Sequence, residues 1–124
     1  MSFGDDRWRG MRLLIVEDEY FLAQDLAYHF QNLGAEVVGP VGTVVDALTL
    51  LKSADIEAAV LDINLRGERV YPVADGLLKR SVPFVFASGY GGELEPSAYA
   101  GIPRCIKPVD FDVLTKKLAD QVGK

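Results

Sequence analysis

Several classes of protein are excluded by what this sequence lacks. One cysteine, Cys105, rules out an internal disulfide framework and predicts a reducing, cytoplasmic location. No apolar run approaches the roughly 18 residues that span a membrane, and the first ten residues lack the apolar core of a signal peptide. The net charge of −5 disfavours a nucleic-acid-binding surface, which needs clustered Lys and Arg. We therefore expect neither membrane nor nucleic acid as a partner.

Ligands for soft metals and loops for nucleotides are also scarce. His29 is the only histidine and lies in a helical pattern without a second ligand candidate, so we interpret it as structural. Cys105 lies in an apolar segment without a CxxC partner and is predicted to be a core residue. No GxxxxGK[ST] loop follows the first apolar run, so a tightly bound nucleotide is not supported.

What is present suits one globular domain. The chain has 124 residues, with 49% apolar and 25% charged residues, which is the ordinary range for a folded domain with a real core. Residues 1–10 are polar and irregular, and they predict a flexible tail. Residues 11–124 form the predicted domain.

Short apolar runs of strand length alternate with helical patterns about every 20 residues. The predicted strands cover residues 12–16, 36–38, 58–61, 82–87 and 102–106. The predicted helices cover residues 21–33 and begin again near Thr43, Pro72 and Asp110. The segment from Gly89 to Pro103 holds too much glycine, and Pro96, for a long regular helix. This order predicts an α/β fold: a doubly wound, five-stranded parallel sheet in the flavodoxin-like order 2-1-3-4-5, with helices on both faces.

Polar residues follow four of the predicted strands at their carboxyl ends. Strand one ends in Glu17 and Asp18, strand three in Asp62, strand four in Ser88, and the fifth strand is followed by Lys107. Each could separately cap a helix, close a turn or face solvent. Because the carboxyl ends of parallel strands share one edge, where ligands bind, the set predicts a site.

The chemistry of that site indicates a hard cation and phosphoryl transfer. Two carboxylates about 4 Å apart repel by roughly 4 kcal/mol at an effective dielectric of 20. Mg²⁺ would remove this repulsion and prefers oxygen ligands. Ser88 and Lys107 offer a hydroxyl and a positive charge to phosphoryl oxygens. Since a carboxylate can act as a nucleophile, Asp62 is the candidate to form an aspartyl phosphate.

Four motifs resemble the receiver domains of two-component response regulators over residues 12–122. They are LLIVEDE at 13–19, VLDINL at 60–65, FASG at 86–89 and IKPV at 106–109. The resemblance implies that Asp62 accepts a phosphoryl group from a histidine kinase or a histidine phosphotransfer protein. It also implies direct Mg²⁺ ligation by Asp18, Asp62 and the main-chain carbonyl of Asn64, with Glu17 acting largely through water.

The same resemblance assigns the remaining site residues. Lys107 would pair with Asp62 and then with the phosphoryl oxygens, and Ser88 would move in to hydrogen-bond them. A cis peptide bond is implied between Lys107 and Pro108. The domain would act alone, without an attached output domain, and would signal by protein contact to an unknown downstream protein.

One position departs from the usual receiver pattern. Arg104 stands three residues before Lys107, where most members carry an aromatic residue that rotates with the hydroxyl. With the FASGY sequence at 86–90, the chain resembles the FAT-GUY group of single-domain receivers, although Ser88 replaces the group's threonine. Many members of that group pair with HWE or related sensor kinases. The signal is then expected to leave through the face formed by residues 89–107, where Leu94 and Tyr99 are either partner contacts or core residues.

Two alternatives of other classes remain at this stage. A Toprim-type metal-dependent phosphoryl transfer domain also carries a Glu after strand one and an acidic motif after strand three. The DIN sequence at 62–64 lacks the second Asp of that motif. The second alternative is an interaction module that keeps the fold without being phosphorylated, against which the complete set of pocket residues argues.

Overall fold

Short, continuous apolar runs form the central strands of a sheet covered on both faces. The computed structural model describes residues 6–89 and 97–123. The strands are β1 Arg12–Val16, β2 Glu36–Val41, β3 Ala58–Asp62, β4 Asn64–Leu65, β5 Glu68–Arg69, β6 Phe84–Ser88 and β7 Arg104–Ile106. The helices are α1 Tyr20–Asn32, α2 Val44–Ser53, α3 Tyr71–Lys79 and α4 Phe111–Val122, with short 3₁₀ turns at Asp6–Trp8 and Ser97–Tyr99.

The main sheet has five parallel strands in the order β2-β1-β3-β6-β7. Counting only its own strands, this is the predicted order 2-1-3-4-5, which the structure confirms. Every residue of β3 and β6 is buried, as expected for continuous apolar runs in the middle of a doubly covered sheet. The centre of the domain therefore lies along β3, whose last residue is Asp62.

Two separate apolar layers lie against the sheet. On one face, Ala47 and Leu51 of α2 pack with Val73 and Leu77 of α3 in one cluster of buried side chains. On the other, buried residues of α1 and α4 pack together, among them Leu26, Phe30, Leu114 and Leu118. Helices on both faces confirm the predicted architecture, and no helix in the described ranges combines the length and apolarity needed to cross a membrane.

Side-chain caps set the start of two helices. The hydroxyl of Thr43 accepts a hydrogen bond from the Asp46 N–H at 3.1 Å, which confirms the helix start predicted near Thr43. The carboxylate of Asp110 accepts from the N–H groups of Asp112 and Val113 at the start of α4. Both caps hold the loop that precedes the helix at the carboxyl edge of the sheet.

Two local structures differ from the sequence prediction. Strand β2 continues to Val41, through a cis bond between Gly39 and Pro40, although the sequence predicted an end at residue 38. Because β2 lies at an edge of the sheet, a proline without an N–H is tolerated there. Residues 64–69, which lie outside the predicted strands, form the antiparallel β4–β5 hairpin, whose turn residues Arg66 and Gly67 have φ of 55° and 91°.

Part of the predicted flexible tail packs on the domain. Trp8 is 3% exposed and meets Phe30 edge to face, with ring centroids 5.3 Å apart. The N–H of Gly10 donates to the carbonyl of Gly34 at 2.8 Å. Polar neighbours concealed this apolar anchor in the sequence, so the expectation of a loosely held segment does not apply to residues 8–10. The domain boundary at residue 11 stays a prediction.

His29 and Cys105 lie where structural residues are expected. The hydroxyl of Thr115 donates to the carbonyl of Phe111 at 2.6 Å, so the Nε2 of His29, 2.7 Å away, must donate to that hydroxyl. Burial lowers the pKa of His29, and the nearby Asp112 partly offsets this. Cys105 is buried and unpaired.

Candidate functional site

The sheet order brings the polar strand ends together. Parallel register aligns Val16 with Leu61, Asp62 with Ala87 and Ser88 with Ile106. Residues directly after β1 and β7 therefore lie level with the last residues of β3 and β6. The structure brings all of the side chains predicted for the site to this edge: Glu17, Asp18, Asp62, Ser88 and Lys107.

Three carboxylates form an acidic cluster, defined as Glu17, Asp18 and Asp62. One carboxylate oxygen from each lies within 4.8 Å of the others. Asp62 is only 4% exposed and Glu17 is equally buried, whereas Asp18 is partly open to solvent. Buried carboxylates at this spacing repel one another unless cations compensate their charges.

Lys107 supplies one compensating charge. Its Nζ lies 3.2 Å from Oδ2 of Asp62 and 2.9 Å from Oε1 of Glu17. The Glu17 Oε1 contact is an ion pair without hydrogen-bond geometry, and the ammonium donates instead to Oε2 of Glu17 at 3.2 Å. One ammonium thus bridges the two buried carboxylates.

Burial and neighbouring charges shift the pKa values of Asp62 and Lys107. The pKa of Asp62 is raised to about 7, first by burial and then by the charge of Glu17, while Lys107 acts to lower it. Burial would lower the pKa of Lys107, but its contacts with Glu17 and Asp62 prevail and the pKa is raised. One ammonium is therefore not enough to keep Asp62 fully ionised near neutral pH.

Two buried oxygen atoms lack hydrogen-bond partners among the described residues: Oε1 of Glu17 and Oγ of Ser88. Ser88 is 7% exposed, and leaving such a group unsatisfied costs free energy. An all-oxygen donor set with a spare carboxylate oxygen suits Mg²⁺, which keeps several of its waters. The residues present therefore fit a magnesium ion at the acidic cluster.

Asn64 contacts Asp62 through its main chain. Its N–H donates to Oδ1 of Asp62 at 3.2 Å, and its side-chain oxygen accepts from the N–H of Gly67 at 2.6 Å. The β4–β5 hairpin is thereby attached to the acidic cluster. Metal ligation by the Asn64 carbonyl stays a prediction.

Sequence reasoning missed Arg66. Its Nε lies 3.4 Å from Oδ2 of Asp18, so a second cation contacts the acidic cluster from the hairpin. The usable signal was an arginine beside a glycine four residues after Asp62, because such a pair favours a tight turn that returns to the strand end.

Comparison with known proteins identifies the fold and the family. SdrG from Sphingomonas melonis Fr1 is 39% identical, with a TM-score of 0.80 over 91% of this chain and 97% of SdrG. The BeF3-activated conformation of SdrG, from Pseudomonas melonis Fr1, is 39% identical with a TM-score of 0.74, covering 90% of this chain and 95% of that one. A response regulator receiver protein from Sinorhizobium medicae WSM419 is 22% identical, with a TM-score of 0.77 over 92% of this chain and 95% of that one. Neither a family model nor a curated protein matches.

The likeness to SdrG, a receiver domain, covers nearly the whole of both chains and decides the assignment. The chain belongs to the response regulator receiver domains. The predicted resemblance is confirmed, and the Toprim-type alternative is left without support. The implied cis bond between Lys107 and Pro108 is present in this receiver domain.

The structure resolves one alternative that the sequence left open, the role of Tyr99. Tyr99 is buried, stacks on Tyr71 with centroids 4.7 Å apart, and donates a hydrogen bond to Asp75 at 2.5 Å. It also meets Phe86 edge to face at 5.8 Å. Tyr99 is therefore a core residue rather than an exposed partner contact. Tyr90 and Leu94 lie outside the described residues.

Proposed function

We propose that this receiver domain accepts a phosphoryl group on Asp62 from a phosphohistidine, in a Mg²⁺-dependent reaction. The observation that carries the proposal is the surrounding of Asp62: a buried carboxylate, an ammonium at 3.2 Å, and two more carboxylates within 4.8 Å. A domain with a purely structural acid at this position would not need this many charged groups buried beside it. The interaction module that is never phosphorylated is thus disfavoured.

In the proposed step, a carboxylate oxygen of Asp62 attacks phosphorus and the P–N bond to the donor imidazole breaks. The electron pair of that bond stays on the imidazole nitrogen. Lys107 shifts its ammonium contact from the carboxylate toward the phosphoryl oxygens, and the Ser88 hydroxyl, without a partner in the described structure, gains one. Asp62 thereby becomes an acyl phosphate that remains until water hydrolyses it.

The acidic cluster would hold the metal as the family resemblance implies, with Asp18 and Asp62 as direct ligands beside the Asn64 carbonyl. Glu17 would act through water. When bound, Mg²⁺ would supply positive charge that keeps Asp62 ionised and neutralises the incoming phosphoryl oxygens. That need follows from the raised pKa of Asp62, about 7 without the metal.

The partner must reach Asp62 across the rim of this edge. Tyr20 and Phe21 at the start of α1 are exposed, and their rings meet edge to face at 5.3 Å. Phe21 also lines a cleft of about 330 Å³ that includes Lys107, Pro108 and Phe111. We assign this surface to the donor, a sensor histidine kinase, of HWE type by the FAT-GUY resemblance, or a histidine phosphotransfer protein. We further propose that the receiver signals by contact with a separate downstream protein.

The test is phosphorylation by a small donor. Incubation with acetyl phosphate and MgCl2, read by intact mass, is expected to add one phosphoryl group to the wild-type chain and none to Asp62→Asn. Asp120→Asn changes an exposed aspartate on α4 and serves as the matched control, with normal labelling. Labelling of Asp62→Asn, or no labelling of the wild type, would refute the mechanism.

A further inference from the structure

The β4–β5 hairpin places a second cation on the acidic cluster. Nε of Arg66 lies 3.4 Å from Oδ2 of Asp18, the carboxylate that Lys107 does not contact among the described residues. Asp18 is proposed above as a direct metal ligand. A guanidinium and a metal ion therefore compete for the same carboxylate.

The backbone aims Arg66 at this position. Arg66 and Gly67 both have positive φ, 55° and 91°, which closes the hairpin in a tight turn. The turn is tied to Asp62 through Asn64, which donates to Asp62 with its N–H and accepts from Gly67 with its side chain. The backbone of the hairpin thus directs the Arg66 side chain toward Asp18.

The side chain is nevertheless free to leave. The side chain of Arg66 is 84% exposed. An exposed ion pair of this kind contributes little stability and is screened by salt. Beside it, Asp18, Thr43 and Arg66 line a cavity of about 470 Å³. This volume has room for the water molecules that Mg²⁺ retains when it binds.

We propose that Arg66 is a competing cation that occupies Asp18 in the metal-free domain and lowers its affinity for Mg²⁺. Binding of the metal would displace the guanidinium from Asp18, so a monovalent cation would be exchanged for a divalent one at this carboxylate. The inference rests on the proposed metal site but not on phosphoryl transfer.

The experiment measures Mg²⁺ binding directly, without a phosphodonor, by titrating MgCl2 into the full chain and following amide shifts. Arg66→Gln, which removes the charge and keeps most of the length, is expected to bind Mg²⁺ about two- to tenfold more tightly than the wild type, because a unit charge beside a dication is lost. Arg66→Lys, which keeps the charge, is expected to stay near the wild-type affinity. Arg9→Ala removes an exposed arginine paired with Asp6, outside the site, and should leave the affinity unchanged.

The outcomes separate this inference from the proposed function. Equal affinities in wild type and Arg66→Gln would overturn competition, and weaker binding in Arg66→Gln would mean that Arg66 positions Asp18 instead. Equally tight binding in Arg66→Lys and Arg66→Gln would overturn the charge argument. No binding in any variant would refute the metal site itself. Amide spectra of each variant confirm that it folds.

Discussion

Lys107 and Arg66 contact the same group of three carboxylates but are held very differently. The side chain of Lys107 is 21% exposed and bridges Glu17 and Asp62, both nearly inaccessible to water. Arg66 is mostly exposed and touches the more accessible Asp18. Breaking a buried ion pair costs more free energy than breaking an exposed one. Water cannot replace the lost partner in the interior, whereas it readily replaces it at the surface.

This contrast separates a permanent cation from an exchangeable one. Lys107 stabilises the metal-free pocket, and removing it leaves two buried acids facing each other. Arg66 neutralises Asp18, whose carboxylate is open enough for another cation to bind in its place. If the proposed metal site holds, one acidic cluster is in this way both pre-built and accessible to Mg²⁺.

The largest effect is expected from removing the buried cation. Lys107→Met keeps the aliphatic stem, removes the charge, and is expected to lower the free energy of unfolding by about 1–3 kcal/mol at neutral pH, since Glu17 and Asp62 lose their shared partner. Urea unfolding without Mg²⁺ measures it. Lys79→Met, an exposed lysine on α3, is the control and should change little. Equal stabilities of Lys107→Met and wild type would mean that the ion pairs contribute nothing to the pocket.

Removing the central carboxylate should act in the opposite direction. The pKa of Asp62 in the folded domain, about 7, lies above its ordinary value of 3.8. The folded state therefore holds an extra proton between these values, so this contribution to stability is complete below pH 3.8 and is lost as the pH rises through 7. Asp62→Asn has no carboxyl group to ionise and so does not lose this stability as the pH rises. It is expected to be more stable than the wild type by about 1–2 kcal/mol above pH 7.

The measurement is the stability difference between Asp62→Asn and wild type from pH 4 to 8 without Mg²⁺. His29, whose pKa is lowered, has the opposite pH dependence, but it is present in both proteins and cancels in the difference. The difference should grow with pH and shrink when MgCl2 is added. A difference that stays constant across this range would show that Asp62 is not strained by its neighbours.

The smallest effect is expected from the exposed cation. Arg66→Gln should change the free energy of unfolding by less than about 0.5 kcal/mol, because water replaces the lost partner of Asp18. Urea unfolding at low and high salt without Mg²⁺ tests this, and high salt should abolish even that difference. A larger loss would mean that Arg66 holds the hairpin in place and would end the distinction between the two cations.

Much of the site was predictable because of how parallel sheets are built. Short apolar runs that end at Asp62, Ser88 and Lys107 predict strands whose carboxyl ends share one edge. The structure brings these residues together with Glu17 and Asp18. Their chemical roles stay predictions. The placement followed from strand order alone, and strand order follows from short, right-handed connections.

Other features depended on contacts that local sequence does not reveal. Gly39 and Pro40 indicate a strand end, yet β2 continues because an edge strand tolerates a missing N–H. Trp8 stands in a polar segment, and its burial depends on Phe30 in α1. Tyr99 follows a stretch rich in glycine, and only its stacking on Tyr71 identifies it as core.

By itself, the sequence determined the α/β class, the strand order and the set of reactive groups at one edge, because hydrophobic period and strand-end polarity are local properties. Only the tertiary structure decided how those groups are charged and held. Burial raises the pKa of Asp62. The bridging position of Lys107 depends on the alignment of β1, β3, β6 and β7 in the sheet. Arg66 contacts Asp18 because the β4–β5 hairpin folds back toward the strand ends. Dielectric environment and distance arise only when the chain has folded, so they cannot be inferred from residue types alone.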